Sequence, residues 1–313
     1  MPSASAILAE ACRLGFAAAG IAAAGPAQSI GVFDAWLASG RAAGMDYLAR
    51  HREVRADPHA LLPSVRSVVV VAARYPSGPN GAGGACDTET RENESRGGFS
   101  FYARGRDYHR VIRAKLEDLV AFISRAVPIR HRICVDSAPI LEREWAARAG
   151  VGWIGRQGQV VNAECGGCLF LGEVLVDVEL PPTPPTANQC GTCRQCVEAC
   201  PTGALGEGGH VDARRCISYL TVEHRGPIPP ELSGQLGESL FGCDRCTAVC
   251  PFNRQGEDRV MPELAAQPMP DAEAILAMTP AEFDLRFNAT AVHRLGLERL
   301  QRNARLVLAN RRA

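Results

Sequence analysis

Cys190, Cys193, Cys196 and Cys200, with Pro201 behind them, read C-x2-C-x2-C-x3-C-P. Farther along, Cys243, Cys246 and Cys250 precede Pro251 in a C-x2-C-x3-C-P run, and Cys216 stands ahead as a displaced first member. No other feature of the chain limits its fold so strongly. Tight cysteine turns place several thiolates around one cubane, so two such motifs predict two [4Fe-4S] clusters. When two motifs of this kind fold together, the cysteine before proline crosses to the other cluster. That rule assigns one cluster to Cys190, Cys193, Cys196 and Cys250. The other falls to Cys200, Cys216, Cys243 and Cys246. Zinc also uses C-x2-C, but in two separated pairs, so the third cysteine and the doubled C-P ending favour iron–sulfur. Neighbouring clusters imply single-electron delivery to some other centre.

The 313 residues include 13 cysteines. The N-terminal apolar run lacks a basic start and carries Glu10 and Arg13, so it reads poorly as an export signal. A disulfide framework is therefore not expected, and metal binding leads. With no run of 18 apolar residues, no membrane span is expected either. Of the other cysteines, Cys12 and Cys134 read as core thiols and Cys86 lies in a loop. Cys165 and Cys168 form an isolated C-x2-C, for which a redox pair is the weaker reading. Lys plus Arg and Asp plus Glu are both 34, which excludes a strongly basic nucleic-acid coat but not a local basic face. Lys115 is the only lysine, leaving almost no material for Schiff-base or Walker-type phosphate chemistry.

Along the chain, helices are predicted over 5–14, 29–39 and 107–126, and another over 140–149 opened by Pro139. Strands are predicted over 16–22, 67–73, 132–135 and 169–178, with a long loop over 76–98. Strands alternating with helices predict an α/β or α+β sandwich. The stretch Leu180-Pro-Pro-Thr-Pro-Pro185 reads as a stiff linker. The expected division is a catalytic α/β domain over 1–180, a ferredoxin-like cluster domain over 181–255 and a helical segment over 256–313. Residues 285–313 hold seven arginines and one acid, Glu298. They are either a solvated helix face or, through Arg294, Arg299, Arg302 and Arg305, a set of phosphate contacts.

With the cluster domain placed, longer stretches acquire meaning together: Arg55-Ala-Asp-Pro58, Ala103-Arg-Gly-Arg-Asp-Tyr-His109 and Asp136-Ser-Ala-Pro-Ile-Leu-Glu-Arg143. Beyond them come Gly150-Val-Gly-Trp-Ile-Gly155, Leu171-Gly-Glu173, Cys216-Ile-Ser-Tyr-Leu-Thr-Val-Glu223 and Phe241-Gly-Cys-Asp-Arg-Cys246. On these, the chain resembles the epoxyqueuosine reductase family of cobalamin-dependent iron–sulfur enzymes. The resemblance implies a reductive-dehalogenase-like cobalamin domain beside the clusters. It implies reduction of the epoxide of epoxyqueuosine at the tRNA wobble position, consuming two electrons and two protons and releasing water. It further implies base-off cobalamin, tRNA as partner, an external electron donor, a cytoplasmic location and a monomer. Two departures stand out. Arg156 occupies a position after Trp-Ile-Gly where the family often has lysine, which keeps the charge but changes the donor geometry. Only residues 256–313 follow the clusters, so tRNA contacts made by a longer C-terminal region are expected to be missing or reduced.

The resemblance makes Asp136 the proton donor; the plainer reading is a turn or helix-cap aspartate. An aspartic acid can donate only if burial raises its pKa toward the working pH. Cobalamin contacts are implied at Arg55, Tyr102, Asp136, Val160, Asn162, Ser218 and Asp244, with His109 in a matched motif. The plainer roles are a surface salt bridge for Arg55, packing for Tyr102, a helix face for His109 and turn caps for Ser218 and Asp244. Gly152, Gly155 and Gly158 do not fit a dinucleotide loop, and are expected to let the backbone approach the corrin ring. The alternatives are a dehalogenase-like enzyme acting on a small molecule and a ferredoxin-type electron carrier.

Overall fold

The computed structural model describes residues 2–77, 98–125, 127–206, 209–254 and 259–312. Most of the loop expected over 76–98, with Cys86, lies outside the described residues.

Four strands form the main sheet: β1 (Ala18–Ala23), β2 (Ser67–Arg74), β3 (His131–Cys134) and, after a small hairpin of β4 (Trp153–Ile154) and β5 (Val160–Val161), β6 (Leu169–Val176). Their order is β1-β2-β6-β3, and every pairing is antiparallel. The β-branched run of β2 is buried at every position, which a strand covered on both faces requires. Helices Ala4–Arg13 and Tyr108–Ser124 cover one face, against Val69, Val71, Val174 and Val176. Helix Glu142–Arg148 covers the other, with Trp145 against Val68, Val70 and Leu175. Gly172 of β6 takes no side chain because a Cβ there would stand 2.8 Å from Ile112 Cγ2 of the covering helix. Helices packed on both faces of an antiparallel sheet make the mixed α/β fold an α+β arrangement.

Several local expectations need correction. Cys12 is exposed, not a core thiol, because the 4–13 helix buries Ile7 and Ala11 and Cys12 lies about 100° round from Ala11. Cys134 is buried as expected. Pro139 does not open a helix; the helix begins at Glu142, and Pro139 lies in the turn between Asp136 and Ile140. The proline-rich stretch is strapped to the sheet: the backbones of Thr183 and Ile21 bond at 2.9 Å, and the Leu180 N–H donates to Ser67 Oγ at 2.9 Å. Gly150, at φ +69°, leaves room for the carbonyl of Pro184 that a Cβ would strike.

The cysteine-rich stretch folds as short helices, Gln195–Glu198, Ile217–Val222 and Arg245–Ala248. The 271–313 stretch is helical in pieces: Ala272–Ala277, Pro280–Phe287, a 3-10 turn Ala291–Leu295, and Leu297–Asn310. Thr279 and Glu282 form a capping box at the second helix. Val292, Leu300, Ala304 and Val307 pack on Phe99, Leu240 and Phe241. The C-terminal helices therefore roof the junction between the cluster region and the 98–104 segment. Among the described residues no helix is long and apolar enough to cross a membrane.

Candidate active site

β3 ends at Cys134, and two residues later the chain turns through Asp136 at φ +50°, a left-handed conformation that side chains other than glycine rarely adopt. The turn brings Asp136 Oδ2 to 2.8 Å from Nε2 of His109, at the start of the 108–124 helix. The other imidazole nitrogen lies 2.6 Å from Asp107 Oδ1, whose carboxylate also caps that helix through the His109 N–H at 3.1 Å. Tyr108 stacks on Phe170 of β6 at 4.1 Å between centroids, which fixes the helix start against the sheet. Arg294, from the C-terminal 3-10 turn, places Nη1 3.0 Å from the same Nε2. Nε2 can accept from Arg294 when neutral or donate to Asp136 when protonated, but not both.

Burial pushes the His109 pKa down, but hydrogen bonds from Asp107 and Asp136 outweigh it and raise the group overall. Burial pushes the Asp136 carboxyl up, yet the His109 hydrogen bond and charge, then Tyr108 and Arg294, hold it below the usual carboxylate range. The expectation that burial raises Asp136 is thereby corrected: the imidazole is the better home for the proton. The Asp136 side chain remains 52% exposed although burial is the largest influence on it. Charges act on it from nearby: Glu223, whose carboxyl burial raises and Asp136 raises further, is one. Tyr47, pushed up to about 12 by burial first and then by Glu223 and Asp136, is another group within its reach.

The other residues expected at the site are differently placed. Arg55 is not in a surface salt bridge; it is buried, donates to the Leu48 carbonyl at 3.2 Å and stands 6.0 Å over the Phe33 ring. Tyr102 packs among Tyr75, Tyr108, Phe170 and Phe241. Val160 is buried in the β4–β5 hairpin. Asn162 is engaged within its own turn, donating to the Val151 carbonyl at 2.6 Å and accepting from Glu164 and Cys165. Both Asp244 oxygens are taken, one by the Ser100 hydroxyl and one by the Phe101 N–H at 2.8 Å. Ser218 is half-buried beside Cys216. Gly152 and Gly155 do not open backbone toward a ring: Cβ atoms there would strike the Val161 carbonyl and the Gln157 side chain, so they serve packing inside the protein.

The thiols fall into two groups of four. Burial raises the Cys250 pKa, and Cys190, Cys196 and Cys193 raise it further. Burial pushes Cys246 up to about 12, with Cys243, Cys216 and Cys200 adding to it. Burial likewise raises Cys216, with Cys200 contributing. Among the described residues no three His, Cys, Asp or Glu side chains form a group that could hold one metal ion. A cubane separates its thiolates more widely than a single ion does, and four thiols per group suit it. Trp153 Nε1 donates to Cys190 Sγ at 3.4 Å. Arg156, at the lysine position, donates to the carbonyls of Cys193 and Gly191, each at 2.9 Å, and so clamps the first cysteine loop. Nothing in the spacing singled out Trp153, Glu142 or Tyr47, since their partners are remote in sequence or side-by-side only in space. The aromatic–Ile-Gly motif was the available signal for Trp153.

The C-terminal arginines need correction as well. Arg302 donates inward to the carbonyls of His224 (2.8 Å), Gly226 (2.7 Å) and Leu220 (2.9 Å). Arg299 donates to Val222 and Leu295. Both tie the last helix to the 217–226 region, because a helix packed on irregular backbone must satisfy its free carbonyls. Arg305 is exposed, and Arg294 is 55% exposed.

Residues 189–253 match the family described as a 4Fe-4S double cluster binding domain, and residues 55–137 match epoxyqueuosine reductase QueG. The chain is 39% identical to an epoxyqueuosine reductase of Alicycliphilus denitrificans over 303 residues, covering 95% of this chain and 84% of that one. It is 39% identical to the Escherichia coli epoxyqueuosine reductase, covering 95% and 78%. A crystal structure of an epoxyqueuosine reductase with a tRNA-Tyr epoxyqueuosine-modified stem loop superposes with TM-score 0.87 at 32% identity, covering 97% and 80%. The Streptococcus thermophilus enzyme does so with TM-score 0.83 at 28% identity, covering 98% and 81%.

Proposed function

The chain belongs to the epoxyqueuosine reductase family, and on that premise we propose that it reduces the epoxide of epoxyqueuosine in tRNA to the alkene of queuosine. The observation that carries the reading is Asp136, in a left-handed turn with its carboxylate on His109 and its side chain 52% exposed. The full assignment comprises a cobalamin-binding region over 1–180, a cluster region over 181–255 and a roof over 256–313. Cys190, Cys193, Cys196 and Cys250 would hold one cluster, and Cys200, Cys216, Cys243 and Cys246 the other. Cobalamin would lie beside Asp136, Tyr102 and Glu223, which act on one another electrostatically. Its partners are a tRNA anticodon stem loop and an external electron donor, and the enzyme works as a cytoplasmic monomer.

When bound, the clusters would supply single electrons and cobalamin a strongly reducing cobalt centre. The chain's own residues manage protons. Two are consumed as the epoxide oxygen leaves as water. His109, raised by its two carboxylate neighbours, favours holding one. Transfer along the 2.8 Å hydrogen bond to Asp136 Oδ2 would put a proton on a carboxyl that is 52% exposed, from which the departing oxygen can take it. Asp107 then stabilises the orientation of the ring for reprotonation.

The test is anaerobic purification with cobalamin, followed by nucleoside analysis of treated tRNA. Conversion of epoxyqueuosine to queuosine, with cobalamin bound, is the expected result. A corrinoid-free protein, or reduced cobalamin enzyme that leaves the epoxide intact, overturns the reading.

A further inference from the structure

Glu173 is fully buried in the central strand, between Val70 of β2 and Cys134 of β3, and neither carboxyl oxygen has a hydrogen-bond partner that meets geometric criteria. Among the described residues its titratable neighbours are Glu142, Asp136 and Cys134. A buried carboxylate without a counter-charge or donors is too costly to persist, so Glu173 is the neutral acid. Of these neighbours Glu142 acts on it most strongly. Glu142 in turn accepts the backbone N–H of Asp136 at 2.5 Å. The groups facing Glu142 are Asp136, His109, Arg143 and Tyr108. Burial, then Asp136, pushes Glu142 up to about 8, and burial raises Glu173 well above the usual range.

We propose that Glu142, backed by neutral Glu173, is the positioning residue that holds Asp136 in its left-handed turn and so aims the carboxylate at His109. The proposal rests on the reading of Asp136 as proton donor. An unsupported left-handed aspartate relaxes toward ordinary backbone, which swings its carboxylate away from Nε2. A glutamate three residues past Pro139, at the helix start, is the device that prevents this. Both acids favour their protonated forms, so the clamp weakens when both ionise and repel.

Two measurements need no substrate. Hydrogen–deuterium exchange of the holoprotein should be at least about tenfold faster around Asp136 in Glu142→Ala, with Glu142→Gln intermediate, because the amide oxygen still accepts the N–H. The infrared spectrum at neutral pH should contain the C=O stretch of protonated, slowly exchanging carboxylic acid, which Glu173→Gln weakens. A third uses pre-reduced enzyme: Glu142→Ala should lose turnover on the order of 100-fold, Glu142→Gln should regain part of it, and Glu142→Ala should cost nothing more in an Asp136→Asn background. Unchanged exchange in Glu142→Ala overturns the proposal. So does a protonated-acid band that is absent or is unchanged by Glu173→Gln, or a Glu142→Ala loss that multiplies with Asp136→Asn. If the parent protein does not reduce the tRNA epoxide, the functional reading fails while the exchange and infrared results still decide the clamp.

Discussion

Replacing Asp136 with asparagine removes an anion 2.8 Å from His109 Nε2 and leaves the side-chain volume unchanged. Two consequences follow from the geometry. The amide cannot pass on a proton, and a positioned general acid is worth about 10²–10⁴-fold, or ~3–5 kcal/mol in barrier. His109 also loses one of the two carboxylates that raise its pKa, keeping only Asp107 at 2.6 Å. Arg294, 3.0 Å from Nε2, then meets no competitor and favours the neutral ring. Protonated His109 is confined to lower pH, so the alkaline limb of the pH–rate profile should move toward acid. The assay is a single turnover with cobalt fully reduced, so that electron supply is not limiting, read by nucleoside analysis across a pH series. Iron content, cobalamin content and tRNA affinity should match the parent. Turnover within a few-fold of the parent, or an alkaline limb that does not move, refutes the acid role. Loss of cobalamin assigns Asp136 a structural role instead.

Arg302→Ala should unfold more easily by about 2–4 kcal/mol, since three carbonyls lose a charged donor, while the salt dependence of tRNA binding stays unchanged; thermal melts and salt titrations check both halves. Trp153→Phe removes a donor to Cys190 Sγ, which favours the reduced cluster, so the potential of that cluster should fall by roughly 20–60 mV in an electron-paramagnetic-resonance titration. Cys250→Ala should disturb the cluster of Cys190, Cys193 and Cys196; spectroscopy that places Cys250 with Cys243 contradicts the crossed assignment. His109 titrates higher folded than unfolded, so its contribution to stability is complete below the ordinary histidine value and disappears as pH rises through the raised one. The melting-temperature gap between the parent and His109→Gln should therefore shrink with rising pH, and a gap that widens contradicts the assignment.

Family membership, the double cluster domain and the run of buried strands were legible because each is written in neighbours along the chain. Thiol spacing decides cluster chemistry within a dozen residues, and a β-branched run such as 67–74 needs no partner to be recognised. The failures share one cause. Cys12 was misplaced by one position on a helix, where a single step turns a side chain from core to solvent. Arg299 and Arg302 looked like a basic face because composition counts charges without saying which carbonyls they meet. The glycines of 152–155 looked like a ring-binding turn, yet packing on Val161 and Gln157 explains them. The sequence marked Asp136, but its protonation depends on contacts 27 and more residues away: His109 directly, and Arg294 through it. Glu142 and Glu173 sat inside recognised motifs, but their burial side by side is a product of strand order and helix packing. Local chemistry is encoded locally; pKa values, clamps and which arginine faces inward are decided only when the sheet closes and distant segments meet in a low-dielectric interior.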